Sequence, residues 1–404
     1  MAGEQPLDGV TVLDFGQIYN GPYCGFLLAQ AGARVIKVES RRGESLRGRV
    51  SETETVAQPS PASYPFALLN ANKECMTLDF KTSKGQALLK RLAGNVDVVV
   101  ENFSPGTMDR YGVGSAALRA ENPRLIYAAG TGYGSTGPHR DYLGMDITIQ
   151  AMSGVMSITG EADGPPMRSG AALCDFLGGA HLYAGIVTAL YRRMRTGEGA
   201  LVDISLQDTV FPTLASALGA YFLGGEQDLR SGNRHPSQSL SPYNVYPARD
   251  GHVALICIRD GHWRNLVLAM DRPQLAERPE FATMTARAAN VNAVDAEVAA
   301  WTRVRSRSEI FRKLQEFDVV CASVQTLEEV VNDAHLQARG TVQWRRHPRL
   351  GDIALCNTPL RFEGIDPPPL SDVPPLGAHT RALLDELGGY DEAAIDELAA
   401  VGAI

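Results

Sequence analysis

Cysteine is scarce and scattered: six in 404 residues, at 24, 75, 174, 257, 321 and 356, with no CxxC pair and no Cys/His cluster. That spacing argues against a disulfide framework and a zinc site; no metal is expected, and free thiols suit a cytoplasmic protein. No uncharged apolar run reaches the roughly 18–20 residues of a membrane span without a glycine or polar break. The N-terminal MAGEQPLDG lacks a basic region and an apolar stretch, so no leader peptide is expected. Positive charge is not in excess. The net charge is −8 and the basic residues are dispersed, which argues against nucleic acid or a membrane surface as partner. A local cationic pocket remains compatible with that balance. There is no GxxxxGK[ST] phosphate loop, no GxSxG elbow and no HExxH pair, so nothing supports a P-loop enzyme, a serine hydrolase or a zinc protease.

What is present falls into two textures, and the length is too great for one simple core, so two domains are expected. Apolar runs at 10–15 (VTVLDF), 34–40 (RVIKVES), 75–80 (CMTLDF), 96–103 (VDVVVENF) and 124–134 (RLIYAAGTGYG) alternate with helix-spaced segments such as 83–94. This alternation predicts an α/β domain with a largely parallel sheet covered on both faces. From 224 to 244 the chain is polar and rich in Gly, Ser and Pro, which predicts a linker or long loop. Beyond it, ARDG (248–251) predicts a hairpin turn, short helices fill 260–330, and two strands are expected within 350–364. An extended Pro-rich arm at 366–380 and two short helices complete the chain. The expected division is a large domain over 1–225, a linker and small domain over 226–330, and a segment over 331–404 that returns to the large domain.

Ligands of parallel sheets sit at the carboxyl ends of the strands. Those ends carry GQIYN (16–20), ESRRGES (39–45), ENFSPG (101–106) and GTGYGSTGP (130–138). Each alone reads as a plain turn; together they predict one site built from several loops. The apolar stretch 170–191 holds a single formal charge, Asp175, between Cys174 and Phe176. One reading makes it the N-cap of the helix that follows. The other makes it a carboxylate nucleophile, held ionised in a dry pocket by the amides and dipole of that helix. Gly178 and Gly179 would then let a bulky ligand come close, amide donors for developing charge could come from the Gly178–Gly179 turn or from the Gln17 loop, and His181 is expected as a packed core histidine.

With those residues in view, the chain resembles family III CoA-transferases, the superfamily that also holds α-methylacyl-CoA racemase. The resemblance runs from PLDGVTVLDF through AGARVIKVES, NANKECMTLDFKTSKGQALLKRLAG, ENFSPGTMDRYG and GAALCDFLGG to PPLGAHTRALLDELG, in order and nearly end to end. It implies a large Rossmann-like, CoA-binding parallel-sheet domain, a smaller α+β domain, and an interlocked-ring homodimer. It implies transfer of CoA from an acyl-CoA thioester to a small carboxylic acid, with CoA as substrate and no tightly bound cofactor. The nucleophile maps onto Asp175, with Asp146 as a second catalytic carboxylate. CoA and substrate contacts map onto Gln17, Ile18, Tyr19, Asn20, Arg41, Leu78, Lys81, Asn102, Phe103 and Arg110. Arg47 is expected among the phosphate-binding cations.

Two departures from the pattern narrow the expectation. The racemase branch places a His directly before the first Asp; here Met145 precedes Asp146, and a thioether cannot move an α-proton. The Gly-rich loop of formyl-CoA transferases has no counterpart in 231–244, and Ser40 and Thr131 stand where that branch has cations. A racemase or isomerase, or a CoA-binding protein without turnover, is the alternative.

Overall fold

The computed structural model describes residues 5–48, 63–224, 230–237 and 239–404. Of the linker expected over 224–244, residues 225–229 and 238 lie outside these. Two compact units are present, one of residues 1–149, 171–210 and 333–404, the other of residues 150–170 and 211–332.

The first unit is built on six strands: β1 (Thr11–Asp14), β2 (Arg34–Glu39), β3 (Glu74–Thr77), β4 (Val98–Glu101), β5 (Ile126–Thr131) and β6 (Ala200–Ser205). They form one sheet in the order β3-β2-β1-β4-β5-β6, and every pairing is parallel. Side chains alternate across it, and both faces are dry. Leu13, Ile36, Met76 and Val99 pack under the Ser83–Ala93 helix, while Val12, Val35, Val98 and Ile126 pack under the Asn20–Gln30 and Leu173–Thr196 helices. This strand order reverses between β1 and β4, where the chains leave in opposite directions and open a crevice at the carboxyl edge.

The Leu173–Thr196 helix is long and apolar enough to cross a membrane by composition. Here Leu182, Ile186, Ala189 and Leu190 bury it against the sheet instead. It stops at Gly197, whose φ of +77° ends the helix, with Arg193 and Arg195 in the last turn facing the negative dipole end.

The second unit holds the antiparallel sheet β7 (Tyr243–Ala248), β8 (Gly251–Ile256) and β9 (Val320–Ser323). Trp263, Leu266, Val294 and Leu314 cover it, and Arg249-Asp250 makes the expected hairpin turn. The last segment rejoins the first unit. It adds the hairpin β10 (Val342–His347) and β11 (Gly351–Cys356), then two helices, Thr380–Gly388 and Glu392–Ala400. The hairpin therefore begins before 350, where two strands had been expected within 350–364. Leu383, Leu384, Ile395 and Leu398 of the two helices complete the core beside β2 and β3.

Candidate functional site

The crevice between β1 and β4 is closed by side-chain amide bonds. Gln17 N donates to Asn102 Oδ1 (2.6 Å), and Asn102 Nδ2 donates back to Gln17 O (2.8 Å). The next residue, Ile18, has a φ of +64°, a conformation a β-branched side chain resists at a cost of about 1–3 kcal/mol. Its N–H is held by Glu44 Oε1 (2.9 Å), and Glu44 is ion-paired to Lys37 (3.2 Å), both almost fully buried. Beneath the loop, Lys73 pairs with Asp14 (2.7 Å) at zero exposure. The loop after β4 is held the same way: buried Glu101 accepts from Phe103 N (2.8 Å) and the Tyr127 hydroxyl (3.3 Å). Burial pushes the Glu101 carboxyl up to about 7.

Two cavities open from this crevice, and Gln17 and Phe103 line both. The first, about 370 Å³, contains Asp175 together with Ile18, Asn20, Asn102, Gly130 and Met145. The helix bearing Asp175 starts at Leu173 with Ala172 as its N-cap, so Asp175 is the third helical residue and not the cap. The cap comes from elsewhere: Asp146 Oδ1 accepts the N–H groups of Cys174 (2.8 Å) and Asp175 (3.4 Å). An anion at the orphaned amides of a helix start is favourable. The same anion acts on Asp175. Burial, and secondarily the Asp146 charge, raise the Asp175 carboxyl from its ordinary 3.8 to about 7. Phe176 locks this turn against Tyr19 (ring centroids 5.8 Å apart) and Tyr23 (4.8 Å). Tyr19 thus supports the helix that bears Asp175 rather than lining the cavity.

Gly178 and Gly179 have a different use from the one expected. They lie inside the helix, where their amides belong to the helical ladder, and a Cβ at either would strike the Asn20–Gln30 helix. At Gly178 it would lie 2.7 Å from Asn20 Nδ2, and at Gly179 2.6 Å from Asn20 O. They let two helices touch; they form no turn that donates to a ligand. His181 is exposed, its Nδ1 2.8 Å from Leu177 O, and is not the packed core histidine expected. Asn20 itself is 2% exposed, and neither atom of its carboxamide has a hydrogen-bond partner. Leaving such a group unsatisfied costs about 1–3 kcal/mol.

The second cavity, about 770 Å³, lies over the ends of β2 and β3 and is lined by Arg41, Arg42, Leu78, Phe80, Lys81 and neighbours. Leu78 and Lys81 face it because β3 ends at Thr77, earlier than the apolar run suggests. The side chains of Arg41, Arg42 and Lys81 are exposed and make no ion pair among the described residues. Arg47 is different: it is bound to buried Glu39 (2.6 Å) and stacked on Phe66 (4.3 Å), so its charge is already used. Arg110, exposed at the end of the Thr107–Arg110 helix, lines neither cavity. Arg42 was passed over in the sequence although it stands beside Arg41 in the same strand-end loop. The GYGSTG run (132–137) has GxGxxG spacing, but it follows β5 and leads into turns rather than a helix, so it is no dinucleotide loop. Among the described residues, no three His, Cys, Asp or Glu side chains gather into a group that could hold a metal.

Comparison with known proteins places this geometry. Residues 7–380 match the family described as CoA-transferase family III. The chain is 37% identical to succinyl-CoA–D-citramalate CoA-transferase of Chloroflexus aurantiacus, over 99% of this chain and 97% of that protein. It is 36% identical to succinyl-CoA:mesaconate CoA-transferase of Haloarcula marismortui, over 95% and 96%. A crystal structure of a CAIB/BAIF family protein from Brucella suis superposes with a TM-score of 0.84 at 34% identity, over 95% of this chain and all of that one.

Proposed function

The chain belongs to CoA-transferase family III and is a CoA-transferase, and from that premise we propose that Asp175 carries CoA between two carboxylic acids. An Asp175 oxygen bonds to the carbonyl carbon of an acyl-CoA, the C–S bond breaks, and CoA leaves as thiolate with a mixed anhydride behind it. The thiolate then attacks the Asp175 carbonyl carbon. The first acid departs with one Asp175 oxygen, and Asp175 remains as its CoA thioester. An acceptor acid runs the two steps in reverse. Covalent catalysis splits one difficult exchange into easier ones.

The single observation behind this reading is the placing of Asp175: a carboxylate with its pKa near neutrality, in a cavity beside a second cavity rimmed by unpaired cations. Water would destroy the anhydride, so on this reading the bound acyl group fills the cavity around Asp175 and excludes it. The adenosine phosphates of CoA fit the second cavity, with Arg41, Arg42 and Lys81 as their partners and Arg110 as an outer contact. Asp146 acts on Asp175 by capping its helix. Met145 stands in the wall of the cavity where a racemase would need a base.

Both named relatives use succinyl-CoA, so succinyl-CoA is the first donor to try, with small dicarboxylates as acceptors. A homodimer, of the interlocked kind implied by the resemblance, is part of the proposal. Tyr191 and Met194 on the Leu173–Thr196 helix, 64% and 83% exposed, offer an apolar face that a second copy would cover. Six free thiols suit a cytoplasmic enzyme.

The test is incubation with acyl-CoA alone, followed by peptide mass spectrometry. CoA should be found as a thioester on Asp175. Turnover without any adduct on Asp175, or wild-type turnover by Asp175→Ala, would overturn the assignment.

A further inference from the structure

Covalent exchange at Asp175 puts negative charge on the oxygen of the attacked acyl group, and something must receive it. The main-chain amides of Gly178 and Gly179 are inside the helix and cannot. Among the described residues that line the cavity, one has a buried side-chain polar group without a partner: Asn20, 2% exposed, whose carboxamide is unbonded at either atom. Its position is fixed by absences on two sides. Gly130 and Gly178 have no side chains, and a Cβ on either would lie 2.7 Å from the amide, at Oδ1 and Nδ2 respectively. The backbone has been cleared around a group that satisfies none of its hydrogen bonds within the protein.

The distance to the nucleophile follows from the helix. Gly178 lies one turn after Asp175, and side chains at that spacing sit about 5–6 Å apart on one helix face. Nδ2 stands next to the Gly178 position, one helical turn from Asp175, and Asn20 and Asp175 border the same cavity. A ligand filling the cavity must present the amide with an acceptor, and the thioester carbonyl is an acceptor at that place.

We propose that Asn20 is a catalytic residue of this transferase, its Nδ2 donating to the acyl oxygen as Asp175 attacks the donor thioester and again as CoA thiolate attacks the acyl carbon of the second anhydride. This rests on the covalent role of Asp175 proposed above. Electrons from the carbonyl double bond move onto that oxygen when the Asp175 oxygen bonds to carbon. They return when the C–S bond breaks and CoA thiolate leaves. Asn20 loses no proton in either step. It stabilises the charged form, and a buried, pre-placed donor does so without reorganising.

The experiment compares wild type, Asn20→Ala and Asn20→Asp by steady-state kinetics with succinyl-CoA, by rapid-quench measurement of CoA loading on Asp175, and by thermal melting. Removing one donor of this kind lowers rate by about 100- to 1,000-fold. The expected result is a fall of that size in kcat and in the loading rate for Asn20→Ala, with KM for acyl-CoA changed less than about threefold. Asn20→Asp, which keeps the shape but exchanges the NH₂ donor for oxygen, should lose at least as much. Melting temperature should stay level or rise for Asn20→Ala, because no hydrogen bond within the protein is given up. A kcat for Asn20→Ala within threefold of wild type overturns the inference while leaving the Asp175 reading intact. So does a loss of activity matched by a fall in melting temperature, since that is a packing role. Absence of CoA loading in the wild type removes the covalent reading itself, and this inference with it.

Discussion

Replacing Asp146 by Asn isolates charge from hydrogen bonding at Asp175. The amide oxygen of Asn can still accept from Cys174 N and Asp175 N, so the start of the helix keeps its cap. What disappears is the negative charge beside Asp175. The Asp175 carboxyl stands at about 7 against an ordinary 3.8, a displacement of about 3 pH units, with burial the larger cause and Asp146 the smaller. Asp146 is the smaller cause, so its removal should lower the Asp175 pKa without returning it to the ordinary carboxylate value. On the proposed mechanism Asp175 attacks only when ionised, so kcat/KM of the wild type should rise with pH through about 7. In Asp146→Asn that acid limb should move to lower pH, while activity at pH 8 stays far above that of Asp175→Ala. The assay is initial rate of CoA transfer at low acyl-CoA across roughly pH 5 to 9. An acid limb that stays in place or moves upward refutes the electrostatic account. Complete loss of activity in Asp146→Asn refutes the capping role.

The raised Asp175 carboxyl also has a stability consequence. A group held above its unfolded pKa favours folding while protonated, and that contribution is lost as pH rises from about 4 through about 7. Asp175→Asn should therefore melt above wild type at pH 8, by up to about 4 kcal/mol of stability, and match it near pH 4; equal melting curves at both pH values would contradict this. Arg41→Ala and Lys81→Ala should each raise the KM for acyl-CoA about tenfold with smaller changes in kcat, read by steady-state kinetics, because phosphate contacts hold ground and transition state alike. Arg47→Ala should instead lose about 3–5 kcal/mol of stability in denaturant melts, since it leaves Glu39 buried without its partner. In heavy water, wild-type enzyme should incorporate no deuterium at the α-carbon of a 2-methylacyl-CoA, and rapid exchange would mean that a base is present despite Met145.

Five strands of the parallel sheet are legible in the sequence because each is a short apolar run bounded by turn residues. The run 34–40 became Arg34–Glu39, and 96–103 became Val98–Glu101. The sixth, Ala200–Ser205, escapes because it is an edge strand with exposed Leu201 and an aspartate at 203, so its pattern is not that of a buried run. The first strand of the last hairpin, with Trp344, Arg345 and Arg346 in succession, escapes for the same reason. At the site, the strand-end loops were readable, and so was the isolation of Asp175. The helix boundary beside it was not, because its cap is a carboxylate 29 positions away in sequence. Nor could Arg41 be told from Arg47, since both are arginines of one loop. Only the fold reveals that Glu39 has taken one of them.

The partition formed by Gln17 and Phe103, clasped by Asn102, separates a chamber containing cations from a chamber containing Asp175. On the proposed arrangement it works as a gauge of length. A donor must be anionic at one end and bear its thioester at the other, joined by an arm slender enough to pass the partition and long enough to reach beyond it. A short thioester can offer the same carbonyl, but it leaves the cationic chamber empty. A nucleotide without the arm fills that chamber and reaches nothing. Discrimination of this sort needs no recognition of the acyl group, so one scaffold can keep its carrier while the acids it serves are changed by the residues around the Asp175 chamber alone.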